Sequence, residues 1–291
     1  GPVFLETETA PDGFSFTDRL AFGEEFVEQY KEDALIHPML MPHSTYTDSP
    51  VALREVKRLA EKLGVMIHIH SAETVGEVQD VQVRHGLSPI RLLDSLGLLD
   101  ENILLAHCVH VDAQEIDLIT RKGAAVAHNP VSNMKLASGF APITQMMAQG
   151  VKLSIGTDGA QSGNDLDMWW SMRLAALLQK GILRDASVMK AQDVVRTATM
   201  GAASCIGLGD EIGSLELCKK ADLILLRRNA AHLTPLYDVY AHLVYTYGRE
   251  DVDAVLIKGE WVMRERHLQR TDLDENMEKV NRLADEIARR I

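Results

Sequence analysis

The stretch VMIHIHSAET, residues 65–74, begins as a near-continuous apolar run and ends in polar residues. Three further runs of this kind follow it: ILLAH (103–107), AAVAH (124–128) and VKLSIGT (151–157). Strands that are buried on both faces of a parallel sheet have this composition. The four runs therefore predict neighbouring strands of a parallel sheet.

Helical patterns lie between these runs. The segment SPVALREVKRLAEKLG, residues 49–64, has Ser49 as a capping residue, Pro50 at the first helical position and Gly64 at its end. DAQEIDLITRKG, residues 112–123, has the same kind of start and end. Strands that alternate with helices over short connections predict an α/β fold, and this pattern is typical of a (β/α)8 barrel of the TIM type.

The number of strand-helix units falls short of a closed barrel. Two earlier stretches, GPVFLE (1–6) and ALIHPML (34–40), are the remaining strand candidates and bring the number of units to six at most. A closed barrel of this type has eight. Either two units are missing from the front of the sequence or the sheet is open.

The pattern changes after residue 205. IGSLELCKKADLILLRR (212–228) and VDAVLIKGEWVM (252–263) alternate polar and apolar residues, which predicts a small antiparallel sheet. The last segment, residues 271–291, is an amphipathic helical pattern with Thr271 or Asp272 as its cap.

Composition restricts the class of protein. The 291 residues are 46% hydrophobic and carry a net charge of -12 that is spread along the chain, which argues against nucleic acid and anionic membranes as partners. The three cysteines share no CxxC spacing, so we expect core thiols in a reducing compartment. Neither a signal peptide nor a long apolar run is present, and we expect a cytoplasmic protein.

Polar side chains close the four predicted strands. His70, His107, His128 and Asp158 end successive runs and would share one rim of a parallel sheet. Imidazole and carboxylate are ligands that Zn²⁺ prefers, so the pattern predicts a divalent metal site. Glu73 follows the first of these strands and is placed to move protons without binding the metal.

Four segments then resemble consecutive signatures of the amidohydrolase superfamily. They are HIHSAET (68–74), AHCVH (106–110), AHNPVSNMKLASGFAPI (127–143) and GTDGAQSGNDLDMWWSMRLAALLQKG (156–181). The resemblance is greatest to 5-methylthioadenosine/S-adenosylhomocysteine deaminases, which are related to triazine chlorohydrolases, and it extends from about residue 1 to Trp261.

The resemblance implies a role for each matching catalytic position. His70 and Asp158 would bind one Zn²⁺ or Fe²⁺ per active site, and Asp158 would also accept a proton from the attacking water. Glu73 would carry protons to the heterocycle and the leaving amine. His107 would orient the attacking oxygen and the tetrahedral intermediate.

The resemblance also implies substrate contacts. His43, in MPHSTY (41–46), and Ser162 match positions near the substrate, as Glu73 does. Arg19 aligns loosely with an arginine that reaches the distal end of the substrate, and a solvated arginine at a helix start is an equally good reading. By contrast, His128 and Asn129 would be structural, and His85, His110 and His232 are expected to be ordinary surface or core residues.

This sequence departs from the family at its front. The family carries an H-x-H pair of metal ligands at the end of its first strand, and no such strand precedes GPVFLE. We therefore expect residues 1–208 to hold strands three to eight of the barrel, residues 209–266 the C-terminal part of a small β-sandwich, and residues 267–291 a helix. Two exposed sheet edges would favour a homo-oligomer.

The implied activity is hydrolytic deamination of a small molecule, an adenosine-type aminopurine such as S-adenosylhomocysteine, 5-methylthioadenosine or adenosine. Two alternatives stay open. One is a triazine chlorohydrolase, aminohydrolase or other heterocycle deaminase, because Gln161 and Gly163 depart from the usual residues. The other is a truncated relative that does not catalyse and acts as a partner subunit.

Overall fold

The computed structural model describes residues 3–4 and 13–289. Its strands are β1 Val3–Phe4, β2 Met41–Pro42, β3 Ile67–Ser71, β4 Ile103–His107, β5 Ala125–His128, β6 Lys152–Ile155, β7 Leu223–Leu226, β8 Val252–Ile257, β9 Glu260–Arg264 and β10 His267–Leu268. Its α-helices are α1 Phe16–Tyr30, α2 Pro50–Leu63, α3 Val75–His85, α4 Pro89–Ser95, α5 Ala113–Lys122, α6 Pro130–Lys135, α7 Ile143–Ala148, α8 Ala160–Gly163, α9 Met168–Leu183, α10 Ala191–Arg196, α11 Ala202–Cys205, α12 Val239–Tyr245 and α13 Leu273–Ala288. Short 3-10 turns cover Ala231–Leu233 and Arg249–Asp251, and a π-helical turn covers Thr197–Gly201.

The first six strands lie side by side in chain order. Strands β3 to β6 form one parallel sheet, and β1 pairs with β2 in parallel. Single parallel bridges, Leu40 to Ile67 and Ser44 to His70, join the residues around β2 to β3. The prediction of an α/β fold with a parallel sheet is therefore confirmed within the described residues.

Burial on both faces explains the apolar strand sequences. All five residues of β4 are buried. Leu105 of β4 belongs to the same fully buried cluster as Val56 of α2 and Ile116 of α5. Because helices cover the sheet, the strands are mostly apolar, and the functional groups lie at the carboxyl edge where the strands end.

The predicted helices begin and end where the capping residues stand. Ser49 accepts a hydrogen bond from the backbone N–H of Ala52 at 3.2 Å, and α2 ends at Gly64 with a φ of 68°. Asp112 and Glu115 form a reciprocal capping box at the start of α5. These bonds satisfy N–H groups that a helix start leaves without partners.

The strand predicted at residues 34–40 is wrong. The carboxylate of Asp33 accepts hydrogen bonds from the backbone N–H groups of Leu35 at 2.7 Å and Ile36 at 3.0 Å, which forms a local turn. An aspartate that bonds its own following backbone competes with strand pairing. Of this stretch only Leu40 pairs with a strand, through its single bridge to Ile67, and β2 itself begins at Met41.

The C-terminal region contains a second sheet. Strands β7 to β10 are antiparallel in the order β10-β9-β8-β7, as the alternating pattern predicted. Asp272, not Thr271, caps α13 and accepts from the N–H of Glu275 at 3.0 Å. Residues 290–291 and most of GPVFLE lie outside the described residues.

All three cysteines are free thiols. Cys108 and Cys205 are buried as expected, whereas Cys218 is exposed, so its assignment to the core is wrong. In the described part of the chain, we find no helix with the length and apolar character that crossing a membrane requires.

Candidate active site

The parallel register brings three imidazoles together at the carboxyl edge of the sheet. Residues 70 and 71 of β3 lie opposite residues 106 and 107 of β4. The rings of His70 and His107 are 5.5 Å apart between centroids, and the ring of His43 lies 5.1 Å from that of His70. These predicted residues are therefore neighbours in space.

The backbone turns sharply at this edge. Ala72, His107, Cys108 and Asp158 all have positive φ values, between 48° and 75°. Residues other than glycine adopt this conformation at a cost of about 1–3 kcal/mol and keep it only where surrounding contacts impose it. The strand ends are thus held in a strained shape that directs their side chains.

His70 is fixed in one tautomer. Its Nδ1 donates to the backbone carbonyl of His43 at 2.7 Å, and a carbonyl only accepts, so the proton lies on Nδ1. The Nε2 lone pair of the neutral ring is then available, as metal ligation requires. His43 is itself held through Nδ1 by the hydroxyls of Ser44 at 3.1 Å and Thr47 at 3.0 Å.

Asp158 is an ionised carboxylate. Burial alone would raise its pKa, but hydrogen bonds from the Ser132 hydroxyl at 2.6 Å and the Gly159 N–H at 2.7 Å outweigh burial. The neighbouring His107 ring and a hydrogen bond from Ser162 lower the pKa further, and the net direction is downward. Ser162 therefore lies against Asp158.

His107 is 1% exposed and stands between an amide and a carboxylate. Its Nδ1 meets the side-chain oxygen of Asn133 at 2.8 Å, so Nδ1 carries the proton. Its Nε2 lies 3.8 Å from the carboxylate of Glu73. The ring can therefore hold a reacting oxygen beside Glu73.

Glu73 is anchored by the loop after β5. The Ser138 hydroxyl donates to Glu73 Oε1 at 3.0 Å. Ser138 is held in turn by Asn133, whose carbonyl accepts from its N–H at 2.8 Å, and by His110, whose Nε2 meets its carbonyl at 2.7 Å. His110, expected to be an ordinary surface or core residue, thus braces a residue that contacts Glu73.

Several site residues were missed from sequence. Ser132, Asn133 and Ser138 lie inside the quoted motif of residues 127–143, in which only His128 and Asn129 were assigned a role from the sequence. Glu77 was also missed, and it accepts from the backbone N–H of Glu73 at 2.7 Å. The motif could have drawn attention to these residues. Their contacts to Glu73 and Asp158 could not be read from it, because the contacts join residues that are far apart in the chain.

Among the described residues, His128 is buried and His68 is half-buried, and ring nitrogens of both lack a hydrogen-bond partner. Both ring nitrogens of His128 are without a partner, and burial lowers its pKa to about 3. Nε2 of His68 also lacks a partner, and burial lowers the pKa of His68 to about 4. Both rings are therefore neutral at physiological pH.

Arg19 lies on α1 and is mostly buried. Its Nη1 donates to the backbone carbonyl of Val3 at 3.2 Å. Val3 lines a small crevice together with His43 and His70. The role of Arg19 as a substrate contact stays a prediction.

The donor types suit a divalent metal, but the set is partial. Nε2 of His70 and the carboxylate of Asp158 are ligands of the kind that zinc takes, and zinc takes three or four of them from a protein. Within residues 3–4 and 13–289, no group of three or more His, Cys, Asp or Glu side chains is placed to hold a metal ion. The four strand-end residues predicted as one cluster are therefore not gathered around a common point.

Comparisons with known proteins agree with the motifs. Residues 8–262 match the amidohydrolase family. A 5-methylthioadenosine/S-adenosylhomocysteine deaminase from Desulforudis audaxviator is 47% identical over 94% of this chain and 63% of its own length. A zinc-bound crystal structure of an adenosine deaminase from Xanthomonas campestris superposes with a TM-score of 0.95 at 35% identity, covering 99% of this chain and 65% of that one.

A zinc complex of atrazine chlorohydrolase TrzN from Arthrobacter aurescens has the same fold. It superposes with a TM-score of 0.86 at 23% identity and covers 97% of this chain and 64% of that one. At this identity the likeness concerns the fold alone. The chain spans just under two thirds of the length of each of these proteins.

Proposed function

Because the chain belongs to the amidohydrolase family, we propose that it forms the greater part of a hydrolase that deaminates an adenosine-type aminopurine. The substrates proposed are S-adenosylhomocysteine, 5-methylthioadenosine and adenosine. The observation that carries this proposal is the arrangement of Glu73, His107 and Asp158 at one strand edge, with Glu73 and His107 3.8 Å apart.

The proposed reaction replaces an amino group by oxygen. Water attacks C6 of the purine, and its proton passes to the ionised carboxylate of Asp158. Glu73 donates a proton to the ring nitrogen as negative charge develops there. Glu73 then takes the remaining proton of the C6 hydroxyl and passes it to the amine, the C6–N bond breaks, and ammonia leaves the inosine-type product; the proton held by Asp158 returns to Glu73 for the next turnover.

His107 and Ser138 support these proton transfers. The buried ring of His107 is fixed through Asn133 and can steady the oxygen that adds to C6. The hydroxyl of Ser138 keeps the Glu73 carboxylate in place. Preorganised donors of this kind stabilise charge that develops only in the transition state.

A divalent ion, zinc or iron, is part of this proposal. His70 and Asp158 would contribute to holding it, and a bound ion of this kind lowers the pKa of water to about 7, so that hydroxide forms near neutral pH. The family and the zinc-bound relatives support this assignment.

A substrate panel tests the proposal. The full chain, supplied with Zn²⁺, is incubated with adenosine, S-adenosylhomocysteine, 5-methylthioadenosine and a chlorotriazine, and ammonia and product mass are measured. We expect ammonia and the inosine-type product from at least one purine. Chloride release from the triazine without purine turnover would favour the chlorohydrolase alternative. No turnover at all would favour the partner-subunit alternative.

A further inference from the structure

Glu77 is a buried carboxylate that faces back toward the end of β3. It lies in the first turn of α3 and is 5% exposed. Its Oε1 accepts from the N–H of Ala72 at 3.0 Å and from the hydroxyl of Thr45 at 3.1 Å, and its Oε2 accepts from the N–H of Glu73 at 2.7 Å. Every partner donates, so an ionised carboxylate satisfies all three.

These bonds act on a strained segment. Ala72 has a φ of 51°, in the left-handed region. Its carbonyl accepts from the N–H groups of Val109 at 3.0 Å and His110 at 2.9 Å, while its own N–H donates to Glu77. The peptide before Glu73 is therefore held on both sides, and the direction of the Glu73 side chain follows from it.

Helix capping does not account for these contacts. The cap of α3 is Thr74, whose hydroxyl accepts from the N–H of Glu77 at 3.1 Å. In a capping box the glutamate would return to the N–H of the cap residue, as Glu115 does to Asp112 at 2.8 Å in α5. Glu77 instead bonds the two residues that precede its cap. Its carboxylate therefore bonds the residues that follow β3 and not the cap residue of α3.

We propose that Glu77 is a positioning residue that fixes the backbone of Ala72 and Glu73 so that the Glu73 carboxylate meets His107 and Ser138. The catalytic part of this inference rests on the function proposed above, whereas the clamp rests on the contacts alone. Thr45 extends the clamp to the loop that carries His43. The Glu77 carboxylate thereby connects Glu73, the proposed proton carrier, with the loop of His43, a predicted substrate contact.

The amide variant Glu77→Gln separates this role from burial. Glutamine has the same size and avoids burying a charge, but its NH₂ group would face an N–H donor at residue 72 or 73. A 1 Å displacement near reacting groups can lower a rate by about 100-fold. We expect kcat to fall about 10- to 100-fold and KM to change less than about threefold.

Glu115→Gln is the matched control. Glu115 is 3% exposed, occupies the third position of α5, and accepts from the Ser88 hydroxyl and from the N–H of Asp112. Neither of these partners contacts Glu73. We expect this variant to lose comparable stability and to keep kcat within about twofold of the wild type, at a temperature where both variants are folded. Equal kcat in Glu77→Gln and wild type would overturn the proposal.

Amide hydrogen exchange tests the clamp without any turnover. We expect exchange at residues 72 and 73 to accelerate at least about 10-fold in Glu77→Gln and to stay unchanged in Glu115→Gln. Unchanged exchange, or equal acceleration in both variants, overturns the positioning role whatever the kinetics. A wild-type chain that deaminates no purine overturns the proposed function, and exchange still decides the clamp. If Glu77→Gln does not fold, Glu77→Asp, which keeps the charge but falls short of both N–H groups, is measured in its place.

Discussion

Glu73 illustrates what a single side chain contributes to the proposed reaction. Glu73→Gln keeps the size of the residue but cannot donate and regain a proton. Because general acid-base catalysis contributes about 10²- to 10⁴-fold, we expect turnover to fall by that amount while metal content stays unchanged. Initial rates of ammonia release with the preferred purine measure the change.

The control for this variant is Glu25→Gln. Glu25 is exposed on α1, so its loss should leave the rate unchanged. Turnover by Glu73→Gln within about twofold of wild type would remove Glu73 from the proton pathway.

His128 affords a test of stability against pH. Its pKa is about 3 in the folded chain against 6.5 for an ordinary histidine, because burial disfavours the charged ring. Below pH 6.5 the unfolded chain binds a proton that the folded chain does not, so stability decreases as pH falls toward 3. We expect His128→Leu to remove up to about 1.4 kcal/mol per pH unit of this slope between roughly pH 4 and 6.

Urea unfolding at several pH values measures this slope. The control is His267→Leu, at an exposed histidine, which should leave the slope unchanged. An unchanged slope in His128→Leu would show that folding does not lower the pKa of His128.

Individual residues could be predicted from sequence where a strand end marks them. His70, His107, His128 and Asp158 close apolar runs, and this position predicts a shared edge, although in the described residues no three of these side chains are placed to hold one ion. Glu77 and Asn133 could not be found in this way, because their functions depend on hydrogen bonds that only the folded backbone creates.

At the scale of elements, β4 determines how well the sheet is packed. Leu105 is fully buried at its centre, so Leu105→Ala leaves a cavity between the sheet and its helices. We expect a loss of about 2–5 kcal/mol in the free energy of unfolding, measured by urea titration.

Val83→Ala on α3 is the comparison for this variant. Val83 is 85% exposed, and its truncation should change stability by less than about 0.5 kcal/mol. Equal losses in the two variants would contradict the central position of β4 in the core.

Elements were predictable where a long apolar run or a capping residue determines them. The runs that became β3 to β6 and the caps of α2 and α5 are of this kind. The strand predicted at residues 34–40 failed because one side chain, Asp33, captures two N–H groups that a strand would need. A pattern of hydrophobicity does not register such a local competition.

At the scale of the whole molecule, the C-terminal helix carries an apolar stripe that the described residues leave exposed. Leu273, Met277, Val280, Leu283 and Ile287 are each about half exposed or more. Contiguous exposed apolar surface of this kind marks an interaction site. We expect a homo-oligomer, with a sedimentation mass above the 32.2 kDa of one chain.

Val280→Glu should shift the assembly toward single chains. Arg282→Gln is the control, because it changes the charge of α13 by the same amount without altering the apolar stripe. A wild-type chain that sediments as a monomer would contradict the expected oligomer.

The general class of the molecule was predictable, because the parallel strands indicate the fold, the four motifs indicate the family, and together they extend over most of the chain. The placement of the predicted metal ligands relative to one another was not, since ligands meet only when distant segments come together. Within the described residues, fewer than three ligand-type side chains converge. The family and the strand order are thus apparent from the sequence, whereas the coordination is not.

The carbonyl of His43 accepts from both the backbone N–H of His70 at 3.2 Å and its ring Nδ1 at 2.7 Å. The hydrogen bond from Nδ1 to this carbonyl raises the basicity of the ring, and a more basic Nε2 binds a cation more strongly. His43 is also a predicted substrate contact, so a substrate that displaces its peptide changes cation affinity. By thermodynamic reciprocity, the cation changes substrate affinity by the same factor. The affinities of the two ligands are therefore expected to depend on each other, with a single peptide group as the link between them.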